Sequence, residues 1–362
     1  MDCIPQDSLK RLQAFIDAAT RVTVLGHTHP DGDALGCTGA LVLFLREVCG
    51  KDAALVLPDS PAENLRFILP SSCPLLCGDT KPEAAAARIG ESDLIFLMDC
   101  NGFSRTEALE PFLKASQAPK VLIDHHLNPE RDSFNLVFST PDISSASELL
   151  YWVLKGLKGD APEGTSALSS VTGGASPSAT HSPSAISIGT CLLAGMTTDT
   201  NNFANSVYPS TFRMASELIA AGVDRDTLLQ QLYNSYRENR VRLFGHMQAH
   251  ELRILGEAAC MILTKELQQR FDVREGETEG LVNVPLTMAS VRLSIFLKEG
   301  DGHFRVSIRS KKGTSAQQLA QRWFHGGGHE NAAGGKLFIG EDIPRAGDAA
   351  AYVENALKSF LQ

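Results

Sequence analysis

No apolar run in this 362-residue sequence approaches the ~18 residues that a bilayer crossing needs. The opening stretch MDCIPQDSLKRLQAF also lacks the basic-then-apolar order of a signal sequence. Both absences predict a soluble, cytoplasmic protein without a membrane partner. A basic surplus is missing too: the formal net charge is −9. That excludes a broad electrostatic grip on long nucleic acid, and leaves short RNA or nucleotides, for which a local basic pocket suffices. None of the eight cysteines forms a CxxC pair. The nearest two, Cys73 and Cys77, read as reduced thiols of a cytoplasmic protein rather than as zinc ligands or a disulfide. No internal repeat is present. What remains is long and apolar enough, at 43% hydrophobic residues, to bury the cores of two ordinary domains.

Through the first 200 residues, strand-like runs alternate with helical ones. DSLKRLQAFIDAA has helical apolar spacing behind a capping residue. RVTVLG, AALVLP, DLIFLMD and KVLIDHH read as buried strands, whereas LGCTGALVLFLREVC, SASELLYWVLKG and AISIGTCLLAGMTTD read as helices. Such alternation predicts βαβ units, a parallel sheet and helices on both faces. Residues 159–184, rich in Ser, Ala, Thr, Gly and Pro, read as a mobile surface loop. The expected division is a catalytic domain over 1–205, a helical linker over 206–240 and a smaller α/β domain over 241–362. In the last, the strands ELRILG, AACMILT, VRLSIFLKE and HFRVSIRS precede the helix SAQQLAQRWF. The glycine-rich HGGGHENAAGGKLF and a terminal helix then close the chain.

Acids and imidazoles gather where predicted elements stop. His27, Asp31 and Asp33 follow VTVLG, and Asp99 ends LIFLMD. Asp124, His125 and His126 end VLID, and Asp199 ends a predicted helix. The carboxyl ends of parallel strands share one edge of the sheet, which is where such sheets bind ligands. Carboxylates crowded together repel, more so when desolvated, so the chain must protonate them or supply cations. A mixed His/Asp set suits Mn²⁺ and tolerates Zn²⁺, Co²⁺ or Fe²⁺, with Mg²⁺ a poorer match. There are more candidate ligands than one ion needs. Two ions ~3.5–4 Å apart and sharing a carboxylate would use them all, an arrangement suited to attack on phosphorus. A lone Asp at such a place is ordinarily a helix cap, but adjacent imidazoles beside an acid have no capping use.

HTHPDGDALG, the Asp of LMDCNG, IDHH and TTDT, in that order, resemble the four motifs of the DHH phosphoesterases of the RecJ-like superfamily. VSIRSKK and QRWFHGGGHENAAGG resemble the associated DHHA1 substrate domain. Within the family the pattern is similar to small two-domain enzymes that act as oligoribonucleases (nanoRNases), on 3′-phosphoadenosine 5′-phosphate, or on cyclic-di-AMP and its linear product. The resemblance implies an α/β catalytic domain facing a smaller α/β domain across a cleft, and by analogy a homodimer. It implies that His27, Asp31 and Asp99 hold one Mn²⁺ and that Asp33, Asp99, His125 and Asp199 hold the other, with Mg²⁺ or Co²⁺ as substitutes. Asp124 would orient its neighbouring histidine and His126 would face the substrate phosphate, so that Asp99, Asp124 and His126 form the catalytic set.

In the second domain, Gly326, Gly327 and Gly328 would let backbone N–H groups approach an anion. Arg309 offers a guanidinium fork for a phosphate, and His329 completes the set in the family's order. Three departures stand out. His29 replaces a frequent Asn, His325 takes the place of a first glycine, and Asn201 and Asn202 follow TDT. The expected function is Mn-dependent hydrolysis of short oligoribonucleotides and dinucleotides such as pApA to 5′-mononucleotides, extending to 3′-phosphoadenosine 5′-phosphate. The rivals are a pyrophosphatase or exopolyphosphatase, and a non-catalytic nucleotide-binding protein.

Overall fold

The computed structural model describes residues 4–157 and 186–361. The stretch 159–184, read as a loop, lies outside the described residues. The chain divides into two compact units, Met1–Ser235 and Tyr236–Gln362.

In the first unit six strands pair in parallel, in the order β3-β2-β1-β4-β5-β6. They are β1 (Arg21–Leu25), β2 (Asp52–Leu57), β3 (Leu75–Cys77), β4 (Leu94–Met98), β5 (Lys120–Asp124) and β6 (Leu136–Ser139). The helices in chain order are α1 (Gln6–Ala18), α2 (Gly32–Leu43), α3 (Pro82–Gly90), α4 (Glu110–Ala115), α5 (Ala146–Leu157), α6 (Ile188–Asp199), α7 (Pro209–Ala220) and α8 (Arg225–Tyr233). Successive strand residues point to opposite faces, and a parallel sheet survives only when both are covered. Val22, Val24, Phe96 and Val121 enter a core shared with α1, α2, α5 and α6. Leu25, Val56, Ile95 and Leu122 enter a second one under α3 and α4. Met214, Leu218, Leu228 and Leu232, from α7 and α8, join the first core. β1 lies between β2 and β4, where the strand order reverses, and a crevice at the carboxyl ends is expected at this point.

The central elements are those that the sequence predicts, with shifted ends. α2 begins at Gly32 rather than at Leu35, because the Asp31 carboxylate accepts the N–H groups of Asp33 and Ala34 at 3.0 and 3.1 Å. Asp7, read as a cap, lies inside the first turn of α1. The edge strands β3 and β6, of three and four residues, were not predicted.

The second unit is a mixed sheet of β7 (Arg253–Leu255), β8 (Ala258–Leu263), β9 (Leu293–Glu299), β10 (His303–Ser310), β11 (Gly327–His329) and β12 (Ala332–Phe338). Its order is β11-β12-β10-β9-β8-β7, antiparallel except between β8 and β9. Its helices are α9 (Glu238–His246), α10 (Lys265–Arg270), α11 (Ala316–Trp323) and α12 (Ala349–Phe360). Ile295, Phe304 and Ile308 pack with Leu319 and Val353 of α11 and α12, and Met261 and Phe296 with Leu243 of α9.

The glycine-rich segment forms a β-hairpin of β11 and β12. Its glycines answer to packing: a Cβ on Gly326 would lie 1.9 Å from the Gly334 carbonyl oxygen, and one on Gly335 would lie 2.2 Å from that of Phe324. Among the described residues no helix is long and apolar enough to cross a membrane.

Candidate metal centre

Each functional side chain of the first unit sits just past an element end. Gly26 and His27 follow β1, and Asp99 follows β4, taking the left-handed backbone (φ 54°) that few residues other than glycine adopt. Its N–H still pairs with the Ile123 carbonyl at 3.0 Å, which fixes the turn against β5. Asp124 ends β5, His125 and His126 follow it, and Asp199 ends α6.

These residues meet. His27, Asp31 and Asp99 form one group, Asp33, His125 and Asp199 a second, and Asp99, His125 and His126 a third, each with ligand atoms within 4.8 Å of one another. Asp99 joins them. One of its oxygens lies 3.5 Å from His27 Nε2, and the other lies 3.4 Å from His125 Nε2 and 3.6 Å from His126 Nδ1. His125 Nε2 in turn lies 3.6 Å from Asp199 and 4.0 Å from Asp33. All six residues read as metal ligands are therefore in one place, and His126 is beside them.

Neighbours fix the donor atoms. His27 Nδ1 pairs with the Thr28 carbonyl at 2.7 Å, which makes Nδ1 the protonated nitrogen and turns the Nε2 lone pair toward Asp31 and Asp99. Asp33, buried, accepts the N–H groups of Ala146 and Ser147 at 2.7 and 3.0 Å, while Ser145 Oγ accepts that of Glu148. The free amides at the N-terminus of α5 thus offset an anion that burial alone would penalise. Asp124 bonds His126 Nδ1 at 2.7 Å, not His125 as its position beside that residue suggested. His29 turns away, its N–H donating to Asp59 at 2.7 Å.

Two contributors were not legible as site residues. One is the SSAS stretch at the start of α5, whose first serines are a capping signal. The other is Gly195, where a Cβ would come within 2.1 Å of Ser147 Oγ and 2.8 Å of Asp33.

The electrostatics are those of a cluster short of positive charge. Burial opposes a charged His27, but Asp99 and Asp31 raise its pKa to about 9. His125, buried and faced by Asp99, Asp199 and Asp33, is raised to about 10. Burial would raise Asp99, yet the His125 and His27 imidazoles hold it far below the usual carboxylate range. Burial and the charge of Asp99 push Asp33 up to about 7, and burial with the charge of Asp33 lifts Asp199 well above its ordinary value. One Asp99 oxygen and one Asp124 oxygen are buried without a hydrogen bond among the described residues. Orphaned carboxylate oxygens among imidazoles fit divalent cations of the Mn²⁺ type.

A pH dependence follows. A raised folded-state pKa means that the folded protein holds more protons than the unfolded chain, so stability falls as pH rises between the two values. For Asp33 that window runs from 3.8 to about 7, and for His27 and His125 from 6.5 to about 9 and about 10. Chelator-treated protein should therefore lose melting temperature steadily from pH 6 to pH 10. Mn²⁺ should bind with release of protons, and its stabilising effect should grow over the same range. Melts with and without the ion, and calorimetry in buffers of different ionisation enthalpy, check this. A chelated protein whose melting temperature rises with pH would contradict the charge assignment.

In the second unit, Arg309 is half-buried on β10, with Nη1 donating to the Ile308 carbonyl at 3.0 Å. The Gly326 N–H donates to the Ala320 carbonyl at 3.2 Å, so this amide already has an acceptor. A Cβ on Gly327 would meet nothing within 4 Å, whereas one on Gly328, at φ 141°, would lie 2.6 Å from the Ala332 carbonyl oxygen. His329 lies in β11 opposite Ala332. His325 bonds Asp342 at 2.9 Å and so fastens the entry of the hairpin.

Comparison with known proteins matches one family model within each unit. Residues 21–173 match the N-terminal domain of the DHH family and residues 259–355 match the DHHA1 domain. The crystal structure of an exopolyphosphatase-related protein from Bacteroides fragilis superposes with a TM-score of 0.86 at 30% identity, covering 99% of this chain and 98% of that one. The bifunctional oligoribonuclease and PAP phosphatase NrnA of Bacillus subtilis is 25% identical over 331 residues, 89% of this chain and 92% of NrnA. The cyclic-di-AMP phosphodiesterase GdpP of Geobacillus thermodenitrificans is 25% identical over 362 residues, 97% of this chain. The chain spans about half (49%) of that relative's length.

Proposed function

The chain belongs to the DHH family of phosphoesterases, with a DHHA1 domain, and from that premise we propose that it hydrolyses short oligoribonucleotides and dinucleotides such as pApA to 5′-mononucleotides, and 3′-phosphoadenosine 5′-phosphate. The observation that carries this reading is Asp99, whose two oxygens face two separate histidine/aspartate groups. The likeness to NrnA along nearly its full length supports the substrate class. His27, Asp31 and Asp99 would hold one Mn²⁺, and Asp33, Asp99, His125 and Asp199 the other. When bound, the cations supply Lewis-acid charge for the phosphoryl oxygens and acidify water.

The chain's own residues do the rest. Asp31 caps α2 through one oxygen, and that same oxygen lies 3.9 Å from His27 Nε2. Asp33 is held in orientation by the α5 amides. Asp124 fixes the orientation of His126, which would face the substrate phosphate. In the second unit, Arg309, the Gly327–Gly328 backbone and His329 take the terminal phosphate, which favours short substrates.

Full-length protein loaded with Mn²⁺ and incubated with pApA, longer oligoribonucleotides, 3′-phosphoadenosine 5′-phosphate and cyclic-di-AMP, with products separated by chromatography, tests the reading. AMP release from pApA supports it, and inertness toward every member of the panel overturns it. A phosphoanhydride-cleaving activity is the second reading, favoured by the likeness to the exopolyphosphatase-related protein. Pyrophosphate and polyphosphate therefore belong in the panel. Arg309→Ala separates binding from chemistry: a charge-assisted phosphate contact contributes about 1.5–3 kcal/mol, so KM for pApA should rise about 10- to 100-fold. The rate on bis(p-nitrophenyl) phosphate, which lacks a terminal phosphate, should stay near wild type. Equal losses on both substrates would remove Arg309 from that role.

A further inference from the structure

A cation stands beside the acidic cluster without joining it. Arg105 lies six residues beyond Asp99, in a 3-10 turn over Phe103–Leu109. Its backbone is pinned from two sides. The Thr28 N–H, next to His27, donates to the Arg105 carbonyl at 2.8 Å, and the Arg105 N–H donates to the Gly102 carbonyl at 3.3 Å. The loop before it is held by Glu130, whose N–H donates to the Asn101 carbonyl at 2.7 Å and whose carboxylate accepts the Phe103 N–H at 3.2 Å. Gly102 leaves room for that carboxylate, since a Cβ there would come within 2.6 Å of it.

The Arg105 side chain is half-buried, yet its guanidinium makes no hydrogen bond or ion pair among the described residues. Partial burial of a cation is costly unless something pairs with it. Here the nearby carboxylates are taken up by imidazoles, and the loop is fixed by four backbone and carboxylate contacts. An anion arriving at the cluster would supply the missing partner.

We propose that Arg105 is a catalytic residue that holds the non-bridging oxygens of the phosphate under attack. This rests on the phosphoesterase reading above and adds a role distinct from that of Arg309. A planar guanidinium matches two phosphoryl oxygens at once. Charge placed where charge grows in the transition state acts on kcat rather than on KM.

The test uses full-length Mn²⁺-loaded protein carrying Arg105→Ala, Arg105→Lys or Arg105→Gln, with pApA and with bis(p-nitrophenyl) phosphate. Removing one such donor should lower kcat about 100- to 1,000-fold on both substrates, with KM little changed. Arg105→Lys should recover part of the loss. Added guanidinium chloride should raise the rate of Arg105→Ala in a saturable way without raising that of wild type. A kcat within about threefold of wild type overturns the proposal, and so does a loss confined to KM for pApA. Should Arg105→Ala melt below the assay temperature, the Lys and Gln variants carry the same comparison. If wild type cleaves neither substrate, the reading of the function has failed, and binding of inorganic phosphate decides the role of Arg105. Affinity about tenfold weaker in Arg105→Gln keeps Arg105 as the phosphate ligand, and equal affinity removes it.

Discussion

Asp99→Asn should lower kcat for every phosphodiester by ~1,000-fold or more, because the cation charge it secures contributes several kcal/mol to the transition state. The substitution keeps volume and shape, and Asp99 is almost fully buried, so the fold has nothing to refill. What changes is charge and donor chemistry. The carboxylate serves His27 through one oxygen and His125 through the other. An amide has one acceptor oxygen, so one side of the cluster must face an NH₂ group that no cation can use. The variant should bind fewer Mn²⁺ ions than wild type by elemental analysis while keeping a cooperative melt. The metal-free melt should also lose part of its pH dependence, since contact with Asp99 is the leading cause that raises the pKa values of His27 and His125. Mn²⁺-dependent turnover near the wild-type rate in Asp99→Asn would remove the shared carboxylate, and with it the two-ion reading.

Much of the first unit was legible because its signals are local and strong. Central strands of a parallel sheet are buried on both faces, so RVTVL, LIFLM and KVLID stand out as continuous apolar runs, each ending at an acid or imidazole. Convergence of His27, Asp99 and Asp124 then follows from topology alone, since parallel strands end on one edge. The edge strands were not legible. β3 has three residues and β6 is only half buried, so neither carries enough apolar pattern to separate it from loop. The hairpin β11–β12 failed for a different reason. Four glycines lower its apparent strand tendency, yet Gly335, and Gly326 just before the hairpin, are there because the facing backbone of Gly334–Gly335 and Phe324 presses against them. No window of sequence reports such a contact. The partner of Asp124 was equally hidden: adjacency pointed to His125, whereas the turn after β5 swings His126 back onto the carboxylate.

The least legible part of the site is its rear wall, and there Gly195→Ala should have the largest effect on stability. Alanine is the better helix former by about 1 kcal/mol, and α6 is a regular helix, so local preference predicts a gain. Packing predicts the reverse. The α2–α6 crossing relies on missing side chains from both helices: a Cβ on Gly36 would lie 2.5 Å from the Cys191 carbonyl oxygen, and one on Gly195 would lie 2.8 Å from Asp33 of α2, besides 2.1 Å from Ser147 Oγ of α5. The neighbour of Gly36 is backbone, and Ser147 and Asp33 are buried. Overpacking of this kind costs about 1–3 kcal/mol, enough to outweigh the helical gain and lower the melting temperature by several degrees. The damage should also reach the metal centre. Gly195 sits 2.8 Å, measured from an added Cβ, from an oxygen of Asp33, and it lies one turn before Asp199 on the same helix. Moving either carboxylate by a few tenths of an ångström weakens cation binding, so Mn²⁺ affinity should fall together with stability. Gly90→Ala is the matched control, since a Cβ there meets nothing within 4 Å, and it should melt at or slightly above wild type. If Gly195→Ala melts with wild type and binds Mn²⁺ equally well, close approach of these two helices does not hold Asp33 and Asp199 together.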